Sequence, residues 1–406
     1  MKVKILPFHM YVQKYTLESM INTVIYLSFD VFNNSDEFWR GFAGYRNIDI
    51  HNKVLIVQTW LIDMLYDLIS YKRYGKEEIT IKECLILISY YNDYKDNSNN
   101  HISAKNILFN FYGFFGEQRH FEKQTFFEEY AREKYILEKI SIKSKENIDV
   151  LEDFKSEINM STDEFSAIIF ALFCYSKLES STIETEKLKN WILHLNLSFT
   201  NVMTVLDKYS VSIEKIRKSP LKRQVLYTQP FIKIDNKYIA SNPFLILCLF
   251  SNSIYWILRN KYLKKGSQTF INAFGNYFEI YVEEMLNNTL DECEFLKIPI
   301  VQNAKRADWK LKLGKYDFLI EQKSSLPLLS IKQNETDIKA INKYINACWG
   351  EAVEQLNITE NAYHLSNAIK IILVYDEYFK AEALDQLFEL RKDLFNTGYY
   401  WLVNIE

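Results

Sequence analysis

Residues 307–325, ADWKLKLGKYDFLIEQKSS, place two strand-like runs on either side of Gly314-Lys315. A Gly-X pair in a two-residue loop suits a type II′ turn, because glycine accepts the positive φ of the first turn position. With Gly314 and Lys315 as the turn, Leu313 faces Tyr316 and Asp308 falls opposite Glu321. Directly opposed residues have Cβ atoms about 4.5–5.5 Å apart on the same face of the sheet. Two carboxylates this close repel each other unless a cation lies between them. Hard oxygen ligands in such a pair suit Mg²⁺, which binds through one or two carboxylates and keeps several waters. Lys323 lies two residues beyond Glu321 and projects from the same face. An ammonium there can orient a water or stabilise charge on a pentavalent phosphate, so this residue set is equipment for phosphodiester hydrolysis. Asp317 shares the face of Glu321 but stands about 13 Å up the strand at ~3.3 Å per residue, too far to share a cation.

Asp308, the turn, and the apolar run into Phe318-Leu319-Ile320-Glu321-Gln322-Lys323 resemble the PD-(D/E)XK nuclease superfamily. The resemblance covers residues 267–406. It implies that Asp308 and Glu321 hold Mg²⁺ (with Mn²⁺ able to substitute), that the backbone carbonyl of Gln322 completes the metal shell, and that Lys323 is catalytic. Ala307 stands where the family has proline, the least constrained part of its pattern. Members also place a glutamate on the helix before the sheet. Here FINAFGNYFEIYVEEML, residues 270–286, has an apolar stripe of Phe270, Phe274, Phe278, Tyr281 and Met285. Glu279 lies on its flank as a further metal ligand, one turn from Gly275, where a nucleic-acid backbone could come close. Glu283 points away from this stripe. Several branches carry a glutamine on the helix after the ExK strand. Gln355 lies inside the apolar face formed by Ile341, Ile345, Cys348, Ala352 and Leu356, and an inward polar residue needs a partner.

Outward from the hairpin, the order from residue 267 is helix 268–290, strand 294–301, the two hairpin strands, helix 337–357, strand 368–375, helix 380–394 and strand 399–404. This alternation predicts a mixed sheet flanked by helices. The first two hundred residues read as mainly helical, with helices over 54–71, 79–91, 125–140, 162–176 and 184–195 and polar joints at 92–100, 143–147 and 179–185. Ser161-Thr162-Asp163-Glu164 is a capped helix start. Residues 231–239 alternate around Asp235-Asn236 as a small hairpin, followed by an apolar helix over 243–262. The expected class is α+β multidomain. A helical sensing, regulatory or partner-binding region (1–225) and a connecting hairpin and helix (226–266) precede a restriction-endonuclease-like α/β domain (267–406).

The net charge of −3 at pH 7 is too small to point to nucleic acid by itself, so local basic patches must make that contact. Lys305, Arg306, Lys310, Lys312 and Lys315 surround the acidic pair and suit a phosphate backbone. Lys215, Arg217, Lys218, Lys222 and Arg223 form a second basic stretch, or an exposed linker. The six histidines form no HxxxH or HxH pair and the five cysteines no CxxC pair, which disfavours zinc hydrolases and His-based phosphodiesterases. The most apolar window, 244–258, is interrupted by Ser251-Asn252-Ser253 and is too short to span a bilayer. The N-terminus lacks a long apolar h-region, so a cytoplasmic protein without a membrane partner is expected.

A looser resemblance, carried by the order of helical region, hairpin, apolar helix and FGNYFE, is to nucleases of bacterial anti-phage defence loci. It implies DNA as the substrate ahead of RNA, and a second copy or a protein of the same locus as partner. Two alternatives stand beside it: an RNA endonuclease, tRNA included, using the same site, and a non-catalytic nucleic-acid-binding or scaffold subunit of a defence complex.

Overall fold

The computed structural model describes residues 8–33, 58–71, 75–98, 126–220, 224–289, 294–299, 305–326, 343–376 and 400–404. The chain is α+β, with two mixed sheets. It forms two compact units, each drawn from separate stretches: Met1–Ser103 with Met160–Ser253, and Ala104–Asn159 with Ile254–Glu406. The consecutive division expected from the sequence therefore gives way to an interleaved one. The hairpin taken as a connector belongs to the first unit, and 104–159 joins the second.

In the first unit, helices such as Leu17–Asn33, Gln58–Ser70 and Ile81–Ser98 bury apolar faces, with Ile21, Val24, Leu65 and Leu87 fully enclosed. The polar stretch beginning at Asn92 continues the last of these helices to Ser98 instead of breaking it. Thr162–Leu178 starts as its sequence suggests: Ser161 Oγ accepts a hydrogen bond from the Glu164 N–H at 3.1 Å. Four short strands, β1 (Thr182–Glu184), β2 (Ser210–Ser212), β3 (Phe231–Ile234) and β4 (Lys237–Ala240), form a sheet in the order β1-β4-β3-β2. The β3–β4 pair is the expected hairpin, with Ile234 opposite Lys237 and Asp235 at positive φ in the turn. The two outer strands were not expected, since three residues are too few for an alternating pattern to show.

The basic stretch after residue 214 is part of this unit's fabric. Its helix, Ile213–Lys218, buries Ile216, and Arg217 Nε donates to the Ile69 carbonyl at 2.8 Å. Lys222 and Arg223 lie outside the described residues.

The second unit holds a five-stranded sheet of β5 (Glu294–Lys297), β6 (Trp309–Leu313), β7 (Tyr316–Lys323), β8 (Ile369–Val374) and β9 (Tyr400–Asn404), in that order. The first three strands are antiparallel, and β7–β8–β9 are parallel. One face packs on the helix that continues a π-helical turn at Asn346–Gly350 into Glu351–Ala362, through Leu319, Ile372, Val374, Trp349, Ala352 and Leu356. Lys370 is buried on this face and paired with Glu360 at 2.8 Å. On the other face lies the helix Thr269–Thr289, whose Phe274 and Phe278 rings meet Tyr375 edge-on. Its buried stripe is Phe270, Ala273, Phe274, Tyr277, Phe278 and Val282, while Met285 is exposed. The stripe is thus rotated from the expected one, because Tyr277 and Val282 turn inward.

The helix Phe126–Tyr135 also belongs to this unit. It buries Glu129, Arg132 and Glu133; Arg132 lies over the Tyr375 ring, and Glu133 accepts the Tyr255 N–H at 2.7 Å. The helix expected over 380–394, and residues 337–342 of the helix before it, lie outside the described residues. Among the described residues, no helix is long and apolar enough to cross a membrane.

Candidate active site

The β6–β7 hairpin has the register read from its turn. Leu313 pairs with Tyr316 and Trp309 with Ile320, and Gly314 alone of the two turn residues takes positive φ, at 57°. One step further, the Asp308 N–H donates to the Ile320 carbonyl at 3.1 Å, which sets Asp308 beside Glu321. Alternation then sorts the strand. Trp309 Nε1 donates to Gln322 Oε1 at 3.3 Å on one face, and Glu321 and Lys323 share the other. Asp317 is met by Lys310 at 3.6 Å, apart from the acidic pair.

Burial controls the electrostatics of the pair. Glu321 is only 2% exposed; its Oε1 accepts from Lys323 Nζ at 2.8 Å, and its carboxyl lies within hydrogen-bonding reach of Asp308. Burial pushes the Glu321 carboxyl well above the usual carboxylate range, the neighbouring Asp308 pushes it further, and Lys323 opposes both. Asp308 is likewise raised by burial, although the Gln322 N–H, which donates to Asp308 Oδ2 at 2.8 Å, favours its ionised form; the charge of Glu279 adds to the rise. Two buried neighbouring carboxyls with one lysine beside them therefore resist ionising together.

Gln355 joins this network. Its Oε1 accepts from Lys323 Nζ at 3.0 Å and its Nε2 donates to the Arg306 carbonyl at 3.2 Å. Thr359, one helical turn on and fully buried, ties the same helix to the strand. Its hydroxyl donates to the Gln355 carbonyl and accepts the Ala307 N–H, both at 2.7 Å. The Gln355 amide thus fixes the lysine, and Thr359 fixes the helix against the start of β6. Thr359 was not picked out from the sequence, although its i+4 spacing from Gln355 could have shown it.

Glu279 is placed differently from Gln355. Its carboxylate is ion-paired with Lys297 at 2.6 Å, at the end of β5. Among the described residues, no three His, Cys, Asp or Glu side chains form a group that could hold a metal ion. Lys297 was also missed, because its place is set by pairing opposite Trp309 in a strand of four residues. A Cβ at Gly275 would lie 3.6 Å from Ser324 Oγ, an ordinary van der Waals contact.

The basic residues around the pair divide. Lys305 is spent on Glu354 at 3.0 Å. Arg306 and Lys310 both lie against the Tyr363 ring, with the guanidinium carbon 5.9 Å and Nζ 5.5 Å from its centroid. Lys312 and Lys315 stand at the exposed tip of the hairpin. Compared with models of protein families, with characterised proteins and with solved structures, the chain matches none.

Proposed function

We propose that this chain is a metal-dependent nuclease that hydrolyses phosphodiester bonds, with the second unit's sheet and flanking helices forming a restriction-endonuclease-like catalytic domain. The observation that carries the reading is the buried carboxyl pair of Asp308 and Glu321, both raised above the usual carboxylate range, next to the Lys323 ammonium. Such a pair ionises together only when positive charge compensates it. The donor set fits Mg²⁺ or Mn²⁺: hard oxygens from Asp308 and Glu321, with the Gln322 carbonyl as a third candidate.

When bound, such a cation supplies Lewis acidity at a phosphate oxygen and compensates the two carboxylates. The remaining steps belong to the chain's own groups. Lys323 spends two of its three N–H donors on Glu321 and Gln355, and directs the third toward a phosphate oxygen or the attacking water. The Gln355 bond holds the ammonium in place, so little reorganisation accompanies charge build-up on the phosphate. Lys310, Lys312 and Arg306 attract the phosphate backbone.

DNA is the substrate the reading favours, in the setting of anti-phage defence, with the first unit sensing a trigger or partner. The test is to incubate purified full-length chain with plasmid, single-stranded DNA and total RNA, with Mg²⁺, Mn²⁺ or EDTA, beside Asp308→Ala and Lys323→Ala. Cation-dependent cleavage of DNA lost in both variants is expected. Cleavage that survives EDTA or both substitutions defeats the reading, and cleavage of RNA alone moves the substrate to RNA.

A further inference from the structure

Arg306 and Lys310 stand two residues to either side of Asp308, and both reach the ring of Tyr363, with the guanidinium carbon 5.9 Å and the ammonium 5.5 Å from its centroid. The ring is itself held. Tyr363 follows the helix Glu351–Ala362, its N–H donates to the Thr359 carbonyl at 3.0 Å, and its side chain packs against the core cluster that includes Leu319 and Leu356. Lys310 is paired with Leu319 on β7, so it projects from the face of the sheet that carries Glu321 and Lys323. Among the described residues, neither cation is hydrogen-bonded to a carboxylate. The Arg306 Nε is buried and has no hydrogen-bond partner. Lys310 comes only to 3.6 Å from Asp317, too long for a hydrogen bond, whereas Lys305 is closely paired with Glu354. A buried donor without an acceptor is costly unless a ligand supplies one.

We propose that Arg306 and Lys310, held against Tyr363, form a second phosphate subsite, which takes the phosphate next to the one being cut. The substrate is then a polynucleotide whose neighbouring linkage is charged, and Tyr363 is the positioning residue of the subsite. The inference rests on the nuclease reading. Lys310 lies ~6.6 Å along the chain from Asp308, at ~3.3 Å per residue, which is of the order of the step between neighbouring phosphates of one strand. An aromatic face stabilises cations without consuming their N–H groups, so both remain able to donate to phosphate oxygens. Lys312 and Lys315, at the exposed tip of the hairpin, lack such a support. Arg306 has a second tie to the site through its backbone: its carbonyl accepts from Gln355 Nε2, and Gln355 holds Lys323. Replacing the Arg306 side chain keeps that carbonyl, so substrate binding can be weakened with the lysine still anchored.

The test uses the full-length chain and an oligonucleotide in the form it cuts, duplex or single-stranded DNA or RNA. An all-phosphodiester strand is compared with one in which every other linkage is a neutral methylphosphonate, and rates are expressed per cleavable bond. The wild type should cut the alternating strand severalfold less efficiently, through KM. Arg306→Gln should raise KM for the ordinary strand with kcat little altered, and should narrow the difference between the strands. Tyr363→Leu should narrow it too, and Tyr363→Phe, which keeps the ring, should preserve it. Equal cleavage of both strands by the wild type, or a difference undiminished in Arg306→Gln, overturns the proposal. Cleavage that is lost in Asp308→Ala but ignores the neighbouring charge defeats this inference alone. Cleavage that survives Asp308→Ala, or no cleavage of any form, defeats the nuclease reading and the subsite with it.

Discussion

Among the described residues, two hairpins each bring a lysine to a carboxylate at nearly the same distance, with opposite electrostatic results. In the first unit, Lys233 on β3 meets Asp207 at 2.7 Å, and the Tyr238 hydroxyl donates to the same carboxylate at 2.6 Å. In the second, Lys323 on β7 meets Glu321 at 2.8 Å. Burial is the largest single influence on the Asp207 carboxyl and raises it, but its two donors together outweigh that and hold it below the usual range. Glu321 stays raised despite its lysine, because it is enclosed and faces Asp308. A lysine–carboxylate contact thus says little by itself. What separates the satisfied surface pair from the raised, buried one is a second carboxylate and the loss of water.

The largest expected effect is on turnover. Asp308→Ala and Glu321→Ala should each lower cleavage by about a thousandfold or more, and Lys323→Ala by roughly 10²–10³, the scale of removing a preorganised charge-stabilising donor. Asp207→Asn, at the matched contact in the other hairpin, should leave turnover unchanged. A loss there comparable to that at Glu321 would erase the distinction between the two hairpins.

The pH dependence of stability sharpens the comparison. Folded-state values raised to about 6 for Asp308 and about 8 for Glu321 mean that the folded state holds protons the unfolded chain has already released. The metal-free protein should therefore lose stability as pH rises from the ordinary carboxylate range through these values. Asp207, held low, acts in the opposite sense: its contribution is present above the ordinary aspartate range and is lost as pH falls through its lowered value. In thermal melts, Glu321→Gln should flatten the neutral-to-alkaline decline, and Asp207→Asn the acid one. Mg²⁺ should raise the melting temperature more at pH 8 than at pH 6, since a cation competes with protons for the pair. A Mg²⁺ effect independent of pH would break this linkage.

A smaller change is expected at Gln355. Gln355→Leu unties Lys323 without removing it and should cost about tenfold in kcat with KM little altered, as for other partners that orient a reactive group. A change confined to KM would make Gln355 a substrate contact instead. The smallest effect is expected at the basic residues proposed to meet phosphate. Lys310→Ala should weaken DNA binding evenly across sequences and reduce the slope of log affinity against log salt by about one.

Much of the second unit was legible because its signals are local. Gly314 fixes the turn, the turn fixes the register, and the register carries Asp308 to Glu321 without any distant contact. Gln355 was legible because helical spacing sets an amide inside an apolar face, where it must find a partner. The Glu279 side of the site was not. Residue 279 could be placed on its helix, but the ion pair with Lys297 depends on where a four-residue strand docks, and periodicity says nothing about docking. The interleaving of 104–159 with the C-terminal unit escaped for the same reason. The helix Phe126–Tyr135 reads as an ordinary charged helix, yet Arg132 and Glu133 are buried by partners more than a hundred residues away.

By itself, then, the sequence determined the acidic hairpin, the lysine beside it and the helices on either side, since turn chemistry and the periods of strand and helix act over a few residues. Tertiary structure alone decided what those groups experience. Enclosure turns two ordinary carboxyls into a pair that resists ionising, and docking of β5 assigns Lys297 to Glu279. Solvation and charge pairing are properties of the space around a side chain, and only the folded chain defines that space.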